Sequence, residues 1–308
     1  MNNKIRTPAL VLAALLWGGS AAFTKYALDT WQPMTLLTVE LAGASVVLWT
    51  AVLIRGHRRP AVWRRLVLLG ALEPGLCYAF VNLGLTHTSA SNGIVLSGLE
   101  SGFVVVLAAV FLRERLAVRS VAGLAVALAG VLVLEGARPE FTGVFGGDLL
   151  VLSGIFCAAV YVLVARRTAD QVDALTMTAY QFASGFLFFL PFSVGEWVTG
   201  AEKAPLHQSA WSWLVATGIG VGAYACSFLL YNFAIARVSA GRAAMILNLM
   251  PVFGVLIAVI FLREHPGAWQ LVGAAMIIGS IFVFPEDEEE PETPGEVAAP
   301  PLPVDGAR

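Results

Sequence analysis

"VFLRERL" at residues 110–116 and "IFLREHP" at residues 260–266 close two long apolar runs with the same Phe-Leu-Arg-Glu phrase, 150 positions apart. The same shift of 150 aligns Asn82 with Asn232, Ser89 with Ser239, Ala90 with Ala240, Leu99 with Leu249, Glu114 with Glu264 and Gly123 with Gly273. A shift of 141 pairs Thr35 with Thr176 and Glu40 with Gln181. Shared apolar composition does not align polar residues and glycines in this way, so the chain contains an internal repeat. The phrase itself reads as a boundary marker: Arg113 with Glu114, and Arg263 with Glu264, stand where an apolar run leaves the membrane and tie down a tight turn.

Of 308 residues, 58% are hydrophobic and 13% charged, about half the charge share of an ordinary soluble domain, and so large an apolar surplus needs a bilayer to bury it. Apolar runs recur at about 8–27, 33–54, 66–85, 90–112, 118–135, 147–165, 174–198, 211–235, 240–262 and 268–284. Each is long enough to cross about 30 Å of hydrocarbon at 1.5 Å per residue. They are uniformly apolar instead of alternating, which predicts helices and not a barrel. The first run has basic residues before it and small residues after it, as a signal peptide does, but its apolar character continues to Leu28 and it is read as a helix.

The fold expected is therefore an all-α integral membrane protein of ten transmembrane helices in two five-helix repeats. Residues 1–137 form the first repeat, 138–284 the second, and 285–308 an acidic, Pro-rich, disordered cytoplasmic tail. Five is odd, so the second repeat enters the bilayer from the opposite side and the two are inverted. Loop charges agree with that parity. With the N-terminus in the cytoplasm, fourteen Lys and Arg fall on inner segments and four (Lys25, Arg138, Lys203, Arg263) on outer ones. The protein is expected in the inner cell membrane with both termini in the cytoplasm. Inverted repeats are a recurring plan of secondary transporters, because two halves can rock about a midplane site.

Several function classes drop out. The basic residues form no face that would follow a phosphate backbone, so nucleic acid is not a partner. The cysteines Cys77, Cys157 and Cys226 each stand alone among apolar residues, which points to no metal site and no disulfide framework. The histidines lie in or near loops, and neither an HExxH nor a GxSxG motif occurs, so no enzyme is expected. "GIGVG" at 218–222 follows no strand and is no dinucleotide fingerprint; no cofactor is implied.

Polar groups within spans must face the bundle interior or water, since a charge at the bilayer centre costs from about 2.5 to above 10 kcal/mol. The expected substrate-binding set holds the polar residues Glu40, Asn82, Glu100, Gln181, Asn232 and Asn248 and the aromatics Trp17, Tyr78, Tyr161 and Tyr224. Glu73, Asn92 and Tyr231 belong to the wider candidate group, Glu73 standing beside Pro74 and Gly75 where it also suits a local helix break. For an Asn or Gln the competing reading is a hydrogen bond between helices. Glu100 is the sharpest signal, ten residues into the fourth helix and about 15 Å deep, with Met250 as its repeat equivalent. A carboxylate there must find a partner, face water or take up a proton.

"LSGLESGFVVVLAAVFLRERL" at 96–116, "LNLMPVFGVLIAVIFLREHPG" at 247–267 and "LLWGGSAAFTKYAL" at 15–28 together resemble the two EamA-type repeats of the drug/metabolite transporter superfamily. The proline common after the Glu of that fourth-helix motif stands at Pro251 in the second copy, while Ser101 takes its place in the first. The resemblance implies ten helices, a central cavity between the halves, and movement of small metabolites, often outward. The expectation is a secondary transporter of a small molecule, an amino acid or related compound, exported by alternating access with a proton as a candidate coupling ion. A lipid flippase or a non-transporting membrane component is the alternative.

Overall fold

The computed structural model describes residues 5–56, 59–85, 87–88, 96–114, 117–136, 145–201, 207–261 and 265–283. Asn92, Arg263, Glu264 and the acidic tail lie outside them. The described residues are helical, without strands, and run through α1 (Arg6–Ala27), α2 (Pro33–Ile54), α3 (Trp63–Leu85), α4 (Glu100–Leu112) and α5 (Val118–Glu135). There follow α6 (Phe145–Thr168), α7 (Ala174–Val198), α8 (Ala210–Ile235), α9 (Ala240–Phe261) and α10 (Ala268–Val283). Among the described residues seven of these, α2, α3 and α5 to α9, are long and apolar enough to cross a membrane, and α4 and α10 are shorter apolar helices. The chain is a multi-pass membrane protein.

Helix boundaries follow local chemistry. Pro33 opens α2, where its missing N–H removes nothing, and Asp173 and Ser209 cap α7 and α8 by accepting from Thr176 N and Ser212 N. Gly136 ends α5 at φ 62°, a left-handed cap. Long side chains at helix ends pair the elements. At one end of the bundle Arg6 Nη1 donates to Phe233 O (2.7 Å), Arg166 Nη1 to Ala236 O (3.1 Å) and Arg167 to Phe111 O, placing cations over the C-termini of α8 and α4. At the other end Glu196 accepts from Met34 N, Thr35 N and Thr35 Oγ1 at the start of α2, and Gln208 Nε2 donates to Thr30 O.

The duplicated phrase does something the sequence did not suggest. Arg113 does make the turn, in the left-handed region at φ 58°. Glu114, instead of tying down that turn, reaches the start of α9: Oε1 accepts from Ala240 N (2.8 Å) and Oε2 from Gly241 N (3.2 Å), beside Ser239, whose Oγ accepts from Arg242 N. A carboxylate from the first half thus satisfies orphan donors of a helix in the second half and faces the positive end of its dipole.

Close helix crossings centre on glycines, as small residues allow. At Gly18 of α1, a Cβ would overlap the Met250 carbonyl of α9. Gly18→Ala is expected to force α1 and α9 apart and lower the apparent Tm in detergent by several degrees, about 1–3 kcal/mol of overpacking; an unchanged Tm would show that the crossing has slack.

Candidate functional site: two cavities that meet at Glu100

Two helices are broken at equivalent positions. In α9 the turn at Asn248 and Leu249 separates Ala240–Leu247 from Met250–Phe261, and α4 is preceded by a turn at Gly98 and Leu99. Leu99 N donates to Leu96 O (2.9 Å) and Leu249 N to Ile246 O (3.0 Å), so the same tight i→i−3 bond recurs 150 residues on. In α9 the break has an evident cause, because Pro251 has no N–H for the carbonyl one turn back. In α4 Ser101 occupies that place and its hydroxyl donates to Gly98 O at 3.5 Å. The two breaks touch: Asn248 Nδ2 lies 3.4 Å from Ser101 Oγ.

Wide i→i+5 turns loosen α3 at Ala71–Leu76 and α8 at Ile219–Ala225. Glu73 sits inside the first of them with extended dihedrals (φ −144°, ψ 120°), ahead of Pro74. Such irregular backbone at membrane depth is tolerated only where protein or a wet cavity covers it.

Cavities lie against these irregular segments. One of about 470 Å³ is walled by Ser97, Gly98, Glu100, Glu135, Tyr231, Asn248 and Pro251 among others. A second of about 500 Å³ is walled by Trp17, Ser20, Glu73, Tyr78, Glu100, Tyr224 and their neighbours. Glu100, Leu247 and Met250 are common to both, so the spaces adjoin at the broken helices. Leu28, Leu85 and Glu135, at the ends of α1, α3 and α5, also belong to the walls, so the space runs from the breaks toward that end of the bundle. Glu114 holds α9 at the opposite end. No Lys, Arg or His lines either cavity among the described residues, while three carboxylates do.

The residues singled out in the sequence divide into three groups. Glu100 and Asn248 line the first cavity, and Trp17, Tyr78, Glu100 and Tyr224 the second. Tyr161, Gln181 and Asn232 line neither and bond to one another. Asn232, 1% exposed, donates to Thr178 Oγ1 (3.0 Å) and Gln181 Oε1 (3.1 Å) and accepts from Tyr161 OH (3.1 Å). Gln181 Nε2 then donates to Glu73 O (3.0 Å), bridging α7 to the irregular turn of α3. For these residues the geometry is that of hydrogen bonding between helices. Asn232→Leu is expected to strand the Tyr161, Thr178 and Gln181 groups and cost about 1–3 kcal/mol, read as a lower Tm in detergent; a stable variant would mean the network carries little.

Glu40 and Asn82 form the third group, outside both cavities. Glu40, 2% exposed on α2, has Oε1 without a partner and packs where Gly220 of α8 leaves no room for a Cβ. Asn82 is half-buried on α3, unlike its repeat equivalent Asn232. Tyr231 and Glu73 line the cavities although they stood outside the expected set, and Glu135 was not considered at all. Glu73 carried the right signal, an acid within a span, and its Pro-Gly neighbours pointed to a helix break that also proves real.

The EamA-like transporter family model matches residues 8–135 and again 145–284. The chain belongs to the EamA-like transporter family. Among similar proteins, a probable terminal-alkyne amino-acid exporter of Streptantibioticus cattleyicolor is 29% identical over 280 residues, 90% of this EamA-like chain and 92% of its own. An uncharacterized transporter of Archaeoglobus fulgidus is 28% identical over 291 residues, covering 92% and 98%. One solved crystal structure of a protein superposes with a TM-score of 0.75 at 21% identity, over 91% of this chain and 97% of that one, a likeness of fold. The family and these relatives are named as transporters, not enzymes. The EamA-like chain accordingly has its broken helices, its cavities and the acids that line them in a transporter fold.

Proposed function

We propose that this protein is a secondary transporter that exports a small amino-group-bearing metabolite, an amino acid or related compound, across the cytoplasmic membrane. Two inverted five-helix repeats, residues 1–137 and 138–284, rock about the Glu100 region and expose it to each side in turn, with a proton as the coupling ion. The observation that carries the reading is the pair of equivalent breaks, Gly98–Leu99 and Asn248–Leu249, meeting at one cavity wall built from both halves. Discontinuous helices at the repeat interface are where secondary transporters place cargo and ions. The two separate family matches support the duplication, and the amino-acid exporter among the relatives supports the cargo class. Contacts at the bundle ends put the starts of α1 and α9 beside the ends of α4, α6 and α8, as helices of alternating direction require.

Orientation and activity are tested separately. Reporter tags at both termini and within 56–62 are expected to read cytoplasmic, and tags within 138–146 and 200–207 external; a periplasmic C-terminus would overturn the inverted arrangement. In proteoliposomes loaded with a panel of amino acids and amines, saturable counterflow of at least one compound is expected. Lipid scrambling with no solute counterflow would replace the transporter reading with a flippase.

A further inference from the structure

The walls of the two cavities hold three carboxyl groups and, among the described residues, no Lys, Arg or His beside them. Glu100 stands in both, Glu73 in the second and Glu135 in the first, and no hydrogen bond or ion pair reaches the carboxylate of Glu73 or Glu100 among the described residues. An ionised carboxylate away from bulk water needs a proton or a cation. The remaining side chains suit an organic cation. Trp17, Tyr78 and Tyr224 line the second cavity with Glu73 and Glu100, and aromatic faces attract ammonium groups within about 6 Å. An independent feature points the same way: Tyr231 is 1% exposed, its hydroxyl is buried without a hydrogen-bond partner, and it borders the first cavity with Glu100. A buried hydroxyl left unpaired is one that cargo can satisfy.

The described residues of the walls include no basic side chain. The carboxylate of a free amino acid calls for a guanidinium, an ammonium or a cluster of donors, and it would enter a space already lined by three acids. We propose that, resting on the export function given above but narrowing its cargo from amino acids to the related amines, the Glu73–Glu100 wall selects amines without a free carboxylate: primary amines, diamines and amine cations with an aromatic or aliphatic body. The ammonium sits between Glu73 and Glu100 with its flank on Trp17, Tyr78 or Tyr224, and Tyr231 OH bonds a polar atom of the body.

The experiment compares pairs that differ by the carboxylate alone: phenethylamine against phenylalanine, and cadaverine against lysine. Binding to the purified full chain in nanodiscs is measured by calorimetry at neutral pH. Each amine is expected to bind at least about tenfold tighter than its amino acid, the effect of one unfavourable charged contact. Glu73→Gln and Glu100→Gln are each expected to weaken amine binding about tenfold or more, and Tyr231→Phe, which deletes one oxygen and preserves packing, to weaken cadaverine, which has a second amino group for the hydroxyl to meet, by a smaller but measurable factor while leaving phenethylamine unchanged. Monodispersity and Tm separate loss of binding from loss of fold. Amino acids binding as tightly as their amines, no saturable binding of either amine, or wild-type amine affinity in both Gln variants would each overturn the proposal. Counterflow distinguishes this from failure of the broader reading. Transport of phenylalanine but not phenethylamine rejects the selection for amines and leaves the amino-acid exporter, whereas lipid scrambling with no counterflow rejects both.

Discussion

Glu100→Gln lowers cargo counterflow in proteoliposomes by about 30- to 160-fold, the loss of one charge-assisted contact worth about 2–3 kcal/mol. The substitution preserves the shape of the side chain and removes its charge and titration. Its effect should therefore fall on affinity and on the dependence of rate on pH, with little change in Tm. Glu100 is singled out by position: it directly follows the Gly98–Leu99 break and belongs to both cavity walls, as does Met250, which directly follows the partner break. The groups facing the shared space, Glu73, Cys77, Tyr78, Tyr224, Tyr231 and Glu135, include two further acids, so a residual pH response in the variant belongs to them. If Glu100→Gln transports with wild-type rate, affinity and pH profile, the carboxylate is structural and the site has been placed wrongly at its centre.

Glu114→Ala has the second large effect, at the opposite end of the molecule. Its carboxylate accepts from Ala240 N and Gly241 N, and the next N–H, of Arg242, has Ser239 Oγ. Deleting the acid strands two donors at the positive end of α9, at about 1–2 kcal/mol, a loss comparable to that of a helix cap. The contact joins the two halves, so the cost falls on the conformation in which they are joined there, and about 1–2 kcal/mol is a five- to thirtyfold change in a two-state ratio. A single cysteine at Leu112, in a background with Cys77, Cys157 and Cys226 replaced by Ser, should become correspondingly more reactive to a polar thiol reagent. Glu114→Gln, which retains an acceptor but loses the charge, should recover part of the protection. Unchanged labelling and Tm in Glu114→Ala would reduce the contact to a solvated cap with no part in closure.

Much of this architecture is legible along the chain, for a definite physical reason. The energy of placing backbone and side chains in hydrocarbon depends on the length and apolarity of a segment, and both are properties of a run of residues. The all-helical membrane class follows from them, and the repeat follows from residue identities at fixed shifts, Asn82 with Asn232 or Glu114 with Glu264. Acids within spans are visible for the same reason. Glu73 and Glu100 stand out in the sequence because each is expensive where it lies.

Packing decided what each such residue does. A uniformly apolar helix has no polar stripe to declare which side faces its neighbours, so the rotation of α8 that buries Asn232 against Tyr161, Thr178 and Gln181 is not encoded as a pattern. The same holds for Glu40, whose place opposite Gly220 removes it from both cavities while Glu100, on another helix, stands in both. Glu114 is the clearest case. The sequence by itself determined that the residue ends an apolar run and that its phrase is duplicated. Only the tertiary structure decided that its carboxylate crosses 126 positions to the start of α9, because the donors it meets are backbone N–H groups, identical in every residue and left free only at a helix terminus that packing brings near.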